Sequence, residues 1–521
     1  MLFNSFIFLF VFLPLAYLGG MAISKVRPTA LVPWMGIASI VFYLWWSVHD
    51  TVILVASIVC NYAIASYMLA EKKENRRKQA MVGGIALNLC TLAYYKYANF
   101  FIHNVSALLQ TDSSLISVAL PLGISFFTFT QIAFLVDCKR HDVSHHSFAN
   151  YFLFVTYFPH LIAGPIIHHK EMMPQFSSMH ERVGRSDLLS VGLTILIIGL
   201  FKKVVLADSI APYADAVFDR AAFAAPGFFE AWCGSTAYAM QIYFDFSAYS
   251  DMAIGISYMF GVRLPLNFDS PYKARNIIDF WRRWHITLSR FLRDHLYFPL
   301  GGNRLGPPRR IINLMATMLL GGLWHGANWP FVIWGALHGA FLAVNHGFQA
   351  VTRNTKIETM LRTRAGTFLC TAFTFLCVVF AWAYFRAADL ESAHNVIRGM
   401  LGLNGFQLPD RYVAFLGPWV GALNALGIQF VTMETFGSKQ QIAWTLALLF
   451  ISFCLPNIRE IMCKHAPALE LRQSPDVGTG RQSWYVWMPT LPAIAITGAL
   501  SITVLWLMLS GDEVRFIYFT F

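Results

Sequence analysis

Long stretches without a single Asp, Glu, Lys or Arg constrain this chain more than any other feature. They run over residues 1–24, 28–49, 51–70, 113–136, 143–169, 311–352, 365–385 and 482–511. Crossing a hydrocarbon core takes about 20 apolar residues as a helix, and backbone groups in lipid must bond internally, so such runs fold as helices. Shorter or interrupted candidates lie at 79–95, 188–201, 231–258, 412–433 and 440–458. Together they predict an all-α polytopic membrane protein with about 11 to 13 membrane segments, re-entrant ones included, forming one membrane domain over residues 1–521. Charged residues make up only 13% of the chain, half the roughly 25% of soluble proteins, which excludes an ordinary soluble enzyme. The first run lacks a basic n-region and a small-residue cleavage site, so it reads as a membrane segment and not a removable signal. Eight Cys without CxxC spacing predict neither a disulfide framework nor a zinc site.

Lys and Arg mark cytoplasmic loops. The basic loops at Lys25/Arg27, residues 71–78 and Lys139-Arg140 alternate with loops at 49–50 and 103–112 that hold neither. This puts the N-terminus outside the cytoplasm. Further along, Pro159-His160 and Gly164-Pro165 interrupt residues 148–167. Residues 311–346 are too short for two comfortable crossings, so Trp324-His325-Gly326-Ala327-Asn328-Trp329-Pro330 is expected to turn inside the membrane region. Irregular backbone is tolerated there only when buried in protein or lining a cavity.

The net charge is +11, and residues 263–310 hold ten Arg/Lys against three Asp, +7 of that excess. Within them, residues 276–298 read as one amphipathic helix, opened by Asn276 with Asp279 three residues on and closed by Pro299. Phe280, Trp281, Trp284, His285, Leu288 and His295 share its apolar half; Arg282, Arg283, Arg290 and Arg293 share the other. Such a face suits lipid phosphates, or the phosphates of a soluble cytoplasmic donor, which guanidinium binds bidentately. The charge follows membrane-flanking loops and no nucleic-acid module is recognisable, so nucleic acid is excluded as a partner. His285 and His295 lie on the apolar side, which lipid binding does not require, and His285, placed nearer the polar boundary, is the better functional candidate.

Across 311–352 the only titratable side chains are His325, His338 and His346. A His deep in such a segment is by default a functional-site hypothesis. His325 stands out because Gly321-Gly322 and Gly326 let backbone or ligand approach closely; a buried neutral imidazole there is suited to act as general base on a hydroxyl. A second polar island, Asp245, Ser247, Ser250 and Asp251, needs partners or a cavity. Ser247 and Asp251 share a helix face, and pairing with the Arg-rich helix is one expected arrangement. His141, His145, His146 and His168-His169 are loop clusters without carboxylate or Cys partners, so no metal is expected. The chain ends Phe516-Ile517-Tyr518-Phe519-Thr520-Phe521. This tail, residues 511–521, is either an aromatic anchor at the membrane interface or an insert that presents the Tyr518 phenol as a nucleophile.

Three blocks carry a resemblance. Tyr243-Phe244-Asp245-Phe246-Ser247 through Gly255, then Phe280-Trp281-Arg282-Arg283-Trp284-His285, then Gly321-Gly322-Leu323-Trp324-His325-Gly326-Ala327-Asn328 resemble the membrane-bound O-acyltransferase family. The likeness is greatest to its bacterial polysaccharide-acetylating branch, alginate O-acetyltransferases in particular. The resemblance implies a ring of tilted helices around a thinned centre, with a tunnel linking a cytoplasmic donor to an acceptor outside. It implies that His325 is the essential histidine, that His285 is a second functional histidine, and that Tyr518 carries the acyl group. It also implies a separate extracytoplasmic transferase as partner, alongside membrane lipids.

The expected function is therefore O-acetyl transfer at the bacterial inner membrane. Acetyl-CoA is the donor substrate and no cofactor is bound. Arg282, Arg283, Arg290, Trp281, Trp324 and Asn328 would bind the donor, and Asp245, Ser247 and Asp251 would support the polar core. An exopolysaccharide such as alginate ranks first as acceptor, before peptidoglycan or cellulose. The rivals are a transporter of an acyl carrier or lipid-linked sugar, which the missing internal repeat disfavours, and an inactive scaffold.

Overall fold

A computed structural model describes residues 1–111, 115–140, 143, 147–433, 436–469, 485–511, 514 and 516–517. Helices dominate, as the uncharged runs require. Among the described residues, six are long and apolar enough to cross a membrane by themselves: Phe8–Val26, Val48–Ala70, Ser186–Phe218, Trp329–Thr352, Arg364–Arg386 and Leu491–Ser510. Other apolar runs fold as shorter helices such as Leu31–Leu44, Ile124–Lys139 and Lys439–Cys454. An apolar run thus marks membrane-compatible chain without guaranteeing one unbroken helix. Residues 412–433 depart further from the expected segment. Gly417 takes a positive φ of 47° before Pro418, and the stretch breaks into Val413–Leu416, Trp419–Ala425 and a strand, Ile428–Val431. That strand pairs in parallel with Phe406–Pro409. Seven helical residues rise only about 10 Å, too little to cross.

The chain forms two compact units. Of the described residues, the first comprises those within 1–201, 248–267 and 458–517, and the second those within 202–247 and 268–457. The helix Phe228–Met259 contributes its earlier part to the second unit and its later part, from Ala248, to the first.

In the first unit, glycines set how closely helices approach. A Cβ on Gly192 would lie 2.6 Å from the Gly255 carbonyl oxygen, and one on Gly255 would lie 2.6 Å from that of Gly192. Small residues at such crossings let backbones meet where lipid offers no hydrophobic driving force. Helix Phe148–Thr156 ends before the Pro159 and Gly164 interruptions, and residues 157–167 then run irregularly and wholly buried. Their polar groups find protein partners. Ser39 Oγ accepts from the Phe158 backbone N–H at 3.1 Å, and the Tyr157 hydroxyl lies 2.9 Å from Ser257 Oγ. The expected condition for irregular backbone, burial in protein, is met here.

In the second unit, Gly306–His325 and Trp329–Thr352 form an antiparallel helical hairpin. The first helix starts at Gly306 and draws Arg309 and Arg310 into its opening turns. The pair is therefore longer than residues 311–346 suggested, about 30 and 36 Å at the α-helical rise. Close packing again depends on glycine. A Cβ on Gly322 would sit 2.2 Å from the Phe331 carbonyl oxygen, and one on Gly335 2.3 Å from that of Met318. Gly335→Ala is expected to force the hairpin apart and to destabilise the protein by about 1–3 kcal/mol, the usual cost of overpacking. A lower unfolding temperature in detergent would register it.

Candidate functional site

His325 is the last residue of the first hairpin helix. The turn that follows is fixed at both ends. Gly326 passes so close to Phe331 that a Cβ would lie 2.1 Å from its ring. Asn328 caps the next helix by accepting from the Trp329 N–H, while its Nδ2 donates to the Ala388 carbonyl at 2.7 Å. Both polar atoms of Asn328 are thus bonded, and what it contributes is a rigid turn. The expected turn within 324–330 is where the structure places it.

The turn holds the His325 imidazole in an aromatic box. Its ring centroid lies 4.9 Å from Trp324, 5.2 Å from Trp334 and 5.1 Å from Phe385, all edge-on. His325 is 6% exposed. Aromatic walls of this kind exclude water and hold the ring in a fixed orientation.

His285 reaches the same neighbourhood by a break in the basic segment, which is not the single helix expected over 276–298. Ile277–Arg283 ends at Trp284, His285 adopts the left-handed region with φ 43° and ψ 55°, and Ile286–Leu292 follows. That conformation strains a non-glycine residue, and packing holds it. Trp284 stacks on Phe280 at 5.6 Å and meets Phe268 and Trp382 at 5.1 and 5.0 Å. His285 sits edge-on to Phe246 at 4.8 Å. It is fully buried rather than near a polar boundary, and burial pushes its imidazole down to about 3, so the ring is neutral at physiological pH. Trp324 lies 6.4 Å from His285 and 4.9 Å from His325. One indole therefore touches both histidines.

The basic side chains divide by role. The cap read at Asn276 exists: its Oδ1 accepts from the Asp279 N–H at 2.9 Å. Asp279 also holds Arg283, whose Nε lies 2.9 Å away, so Arg283 is engaged in the helix itself. Arg282 is exposed and has no carboxylate partner among the described residues. Trp281 donates its indole N–H to His338 Nδ1 at 3.3 Å. That bond places the proton of His338 on Nε2, a fully buried atom with no hydrogen-bond partner among the described residues.

The polar island on Phe228–Met259 is buried throughout, with Asp245, Ser247 and Asp251 each at most 4% exposed. Within it, Asp245 pairs with Lys203. The Lys203 ammonium lies 2.6 Å from Asp245 and 2.8 Å from Asp208, and Lys203 is 1% exposed. Sequence reading missed it because Lys202-Lys203 looked like the end of the 188–201 run. The helical span continues to Phe218, and a Lys inside a longer apolar span is the signal that would have found it.

In the first unit, Phe516 and Ile517 are buried. Phe516 is 1% exposed and meets Tyr249 edge-on at 4.8 Å, and Asn4 Nδ2 donates to the Val514 carbonyl at 3.1 Å. Tyr518 lies outside the described residues. His168 and His169 gain a carboxylate neighbour, Asp137, that the loop sequence did not reveal; His141, His145 and His146 lie outside the described residues.

Comparison with known proteins gives a consistent result. The model of MBOAT, the membrane-bound O-acyltransferase family, matches residues 79–384. A peptidoglycan O-acetyltransferase of Helicobacter pylori is 38% identical over 100% of this chain and 98% of its own length. A probable alginate O-acetylase of Pseudomonas aeruginosa is 39% identical over 84% of this chain and 82% of its own. A teichoic acid D-alanyltransferase of Bacillus subtilis is 26% identical over 52% of this chain and 70% of its own.

Proposed function

Because the chain belongs to the membrane-bound O-acyltransferase family and is a multi-pass membrane O-acyltransferase, we propose that it takes acetyl groups from cytoplasmic acetyl-CoA and passes them across the inner membrane to an extracytoplasmic polysaccharide. The observation that carries this reading is His325, fixed at a hairpin turn inside an aromatic box, with Trp324 linking it to neutral His285.

In the proposed reaction, His325 removes the proton of the acceptor hydroxyl as its oxygen attacks the thioester carbonyl. The C–O bond forms, the C–S bond breaks, and the proton leaves with the CoA thiolate. A neutral His285 donates a hydrogen bond that orients or polarises the thioester. Holding both reactants in a dry, rigid site supplies much of the acceleration. The immediate acceptor is Tyr518 or a hydroxyl of a separate extracytoplasmic transferase. The burial of Phe516 and Ile517, just before Tyr518 in the chain, is the support for the first of these.

Arg282 is the leading candidate for the donor phosphates, since Arg283 is already bound to Asp279. Arg310 and Arg282 both act electrostatically on His346, which adds positive charge on that side. Arg282→Ala is expected to raise KM for acetyl-CoA by about tenfold, the loss of one charge-assisted hydrogen bond, at unchanged stability. Arg283→Ala should instead lower stability with a smaller change in KM. Steady-state kinetics and thermal unfolding of the two variants separate these roles.

For the acceptor, peptidoglycan now moves ahead of alginate. Identity to the two kinds of relative is nearly equal, but the peptidoglycan enzyme matches the whole chain while the alginate relative matches 84% of it. Alkali-released acetate, measured on purified peptidoglycan and on exopolysaccharide from cells lacking the protein, tests the order. Acetate should fall on peptidoglycan and return with the wild-type chain but not with His325→Ala. A fall confined to exopolysaccharide restores the original order, and no fall on either contradicts the proposal.

A further inference from the structure

We propose that Asp137, His168 and His169 form a binding site for one divalent transition cation, Zn²⁺ foremost. Asp137 comes from the end of helix Ile124–Lys139, and the histidines from the start of helix His169–Ser177. One ligand atom from each side chain can be chosen so that all three lie within 4.8 Å of one another. His168 Nε2 stands 2.8 Å, and His169 Nδ1 3.3 Å, from the same oxygen, Asp137 Oδ2.

His168 Nδ1 accepts from the Lys170 N–H, so its Nε2 carries the proton that faces Asp137 Oδ2, while His169 Nε2 is buried without a partner among the described residues. A cation bound through Nε2 displaces that proton, and the carboxylate oxygen and two imidazole nitrogens then share the ion as ligand atoms. Two ligands about 2.1 Å from a tetrahedral Zn²⁺ stand about 3.4 Å apart; the His169 separation of 3.3 Å is close to that value, and the His168 separation of 2.8 Å widens on binding. Two imidazoles and one carboxylate suit zinc and its first-row neighbours, while magnesium and calcium prefer all-oxygen sets.

Burial also fits a site with one open side. The Asp137 and His169 side chains are 4% and 6% exposed, whereas His168 is 22% exposed. The cation would enter beside His168 and keep a water in the fourth position. Among the described residues, two other polar contacts touch the cluster. Arg140 lies 4.0 Å from Asp137 Oδ1, on the carboxylate oxygen that the histidines leave alone. The Lys170 backbone N–H reaches His168 Nδ1 at a long 3.4 Å, and a His168 ligated through Nε2 would give up that weak bond. The bound ion would clamp the exit of the buried segment 157–167 onto helix Ile124–Lys139.

The test uses the full-length protein, purified in detergent through a tag without histidine, stripped with EDTA and titrated with ZnCl₂. Wild type is expected to bind about one Zn²⁺ per chain, counted by elemental analysis, and to unfold at a higher temperature when loaded. Asp137→Asn and His169→Gln should lose both effects while eluting as wild type in gel filtration. Should either variant fail to fold, Co²⁺ loaded into wild type still decides. Visible d–d absorption of nitrogen and oxygen coordination supports the site, and its absence overturns it. A monodisperse wild type that takes up no Zn²⁺ at micromolar free metal, or variants that bind as wild type does, would also overturn it. None of these readouts depends on acyl transfer.

Discussion

His325→Ala is expected to lower acyl transfer by roughly 10²–10⁴-fold, the contribution of a positioned general base, with normal membrane insertion. The geometry justifies separating activity from folding. His325 closes a helix whose end is held by Gly326 against Phe331 and by the two bonds of Asn328. None of these needs the imidazole. Removing it leaves a small space between Trp324, Trp334 and Phe385, a modest cost in stability but a complete loss of the proton acceptor. His325→Gln, which keeps polarity without basicity, should be equally inactive. Rates from CoA release, paired with unfolding temperatures, check both halves. Full activity in either variant would remove His325 from the chemistry.

Lys203→Ala is expected to give the largest loss of stability, about 3–5 kcal/mol, as when one partner of a buried ion pair is removed. The ammonium lies between Asp208 and Asp245 inside a membrane-spanning helix. Without it, Asp208 and Asp245 lose the ammonium held between them, and the buried carboxylates shift toward their protonated forms. A variant that neutralises the cluster together, Lys203→Met with Asp208→Asn and Asp245→Asn, should recover much of the loss, because it is the stranded charge that costs most. Thermal unfolding in detergent compares the two. Equal destabilisation of the single and triple variants would show that shape rather than charge governs this core. The long-range consequence concerns Phe246, next to Asp245, whose ring packs edge-on to His285; a shifted Asp245 would disturb that wall.

Class and family were legible in the residues for simple reasons. Uncharged runs force membrane helices, and the Trp-Arg-Arg-Trp-His and Leu-Trp-His-Gly blocks carry an arrangement that the family match over residues 79–384 bears out. The turn at 324–330 could be read because glycine and asparagine announce it locally. The break at His285 could not. Periodicity describes a continuous wheel, and nothing in the residue pattern reveals that packing on Phe246 and Trp284 would stabilise a left-handed histidine. Lys203 escaped for a similar reason, since Asp208 and Asp245 lie 5 and 42 residues away and a charge at the edge of an apolar run looks like an ending. Asp137 beside His168 and His169 is likewise a tertiary fact, and the sequence separation of some 30 residues hides it.

The most direct test of the central claim is to incubate purified, reconstituted protein with acetyl-CoA labelled in the acetyl group, and to follow free CoA and protein-bound label together. Saturable CoA release with label esterified on Tyr518 or an added acceptor hydroxyl, both lost in His325→Ala, is the predicted result. Label crossing the bilayer with its thioester intact, unaffected by His325→Ala, would contradict acyl transfer and point to transport.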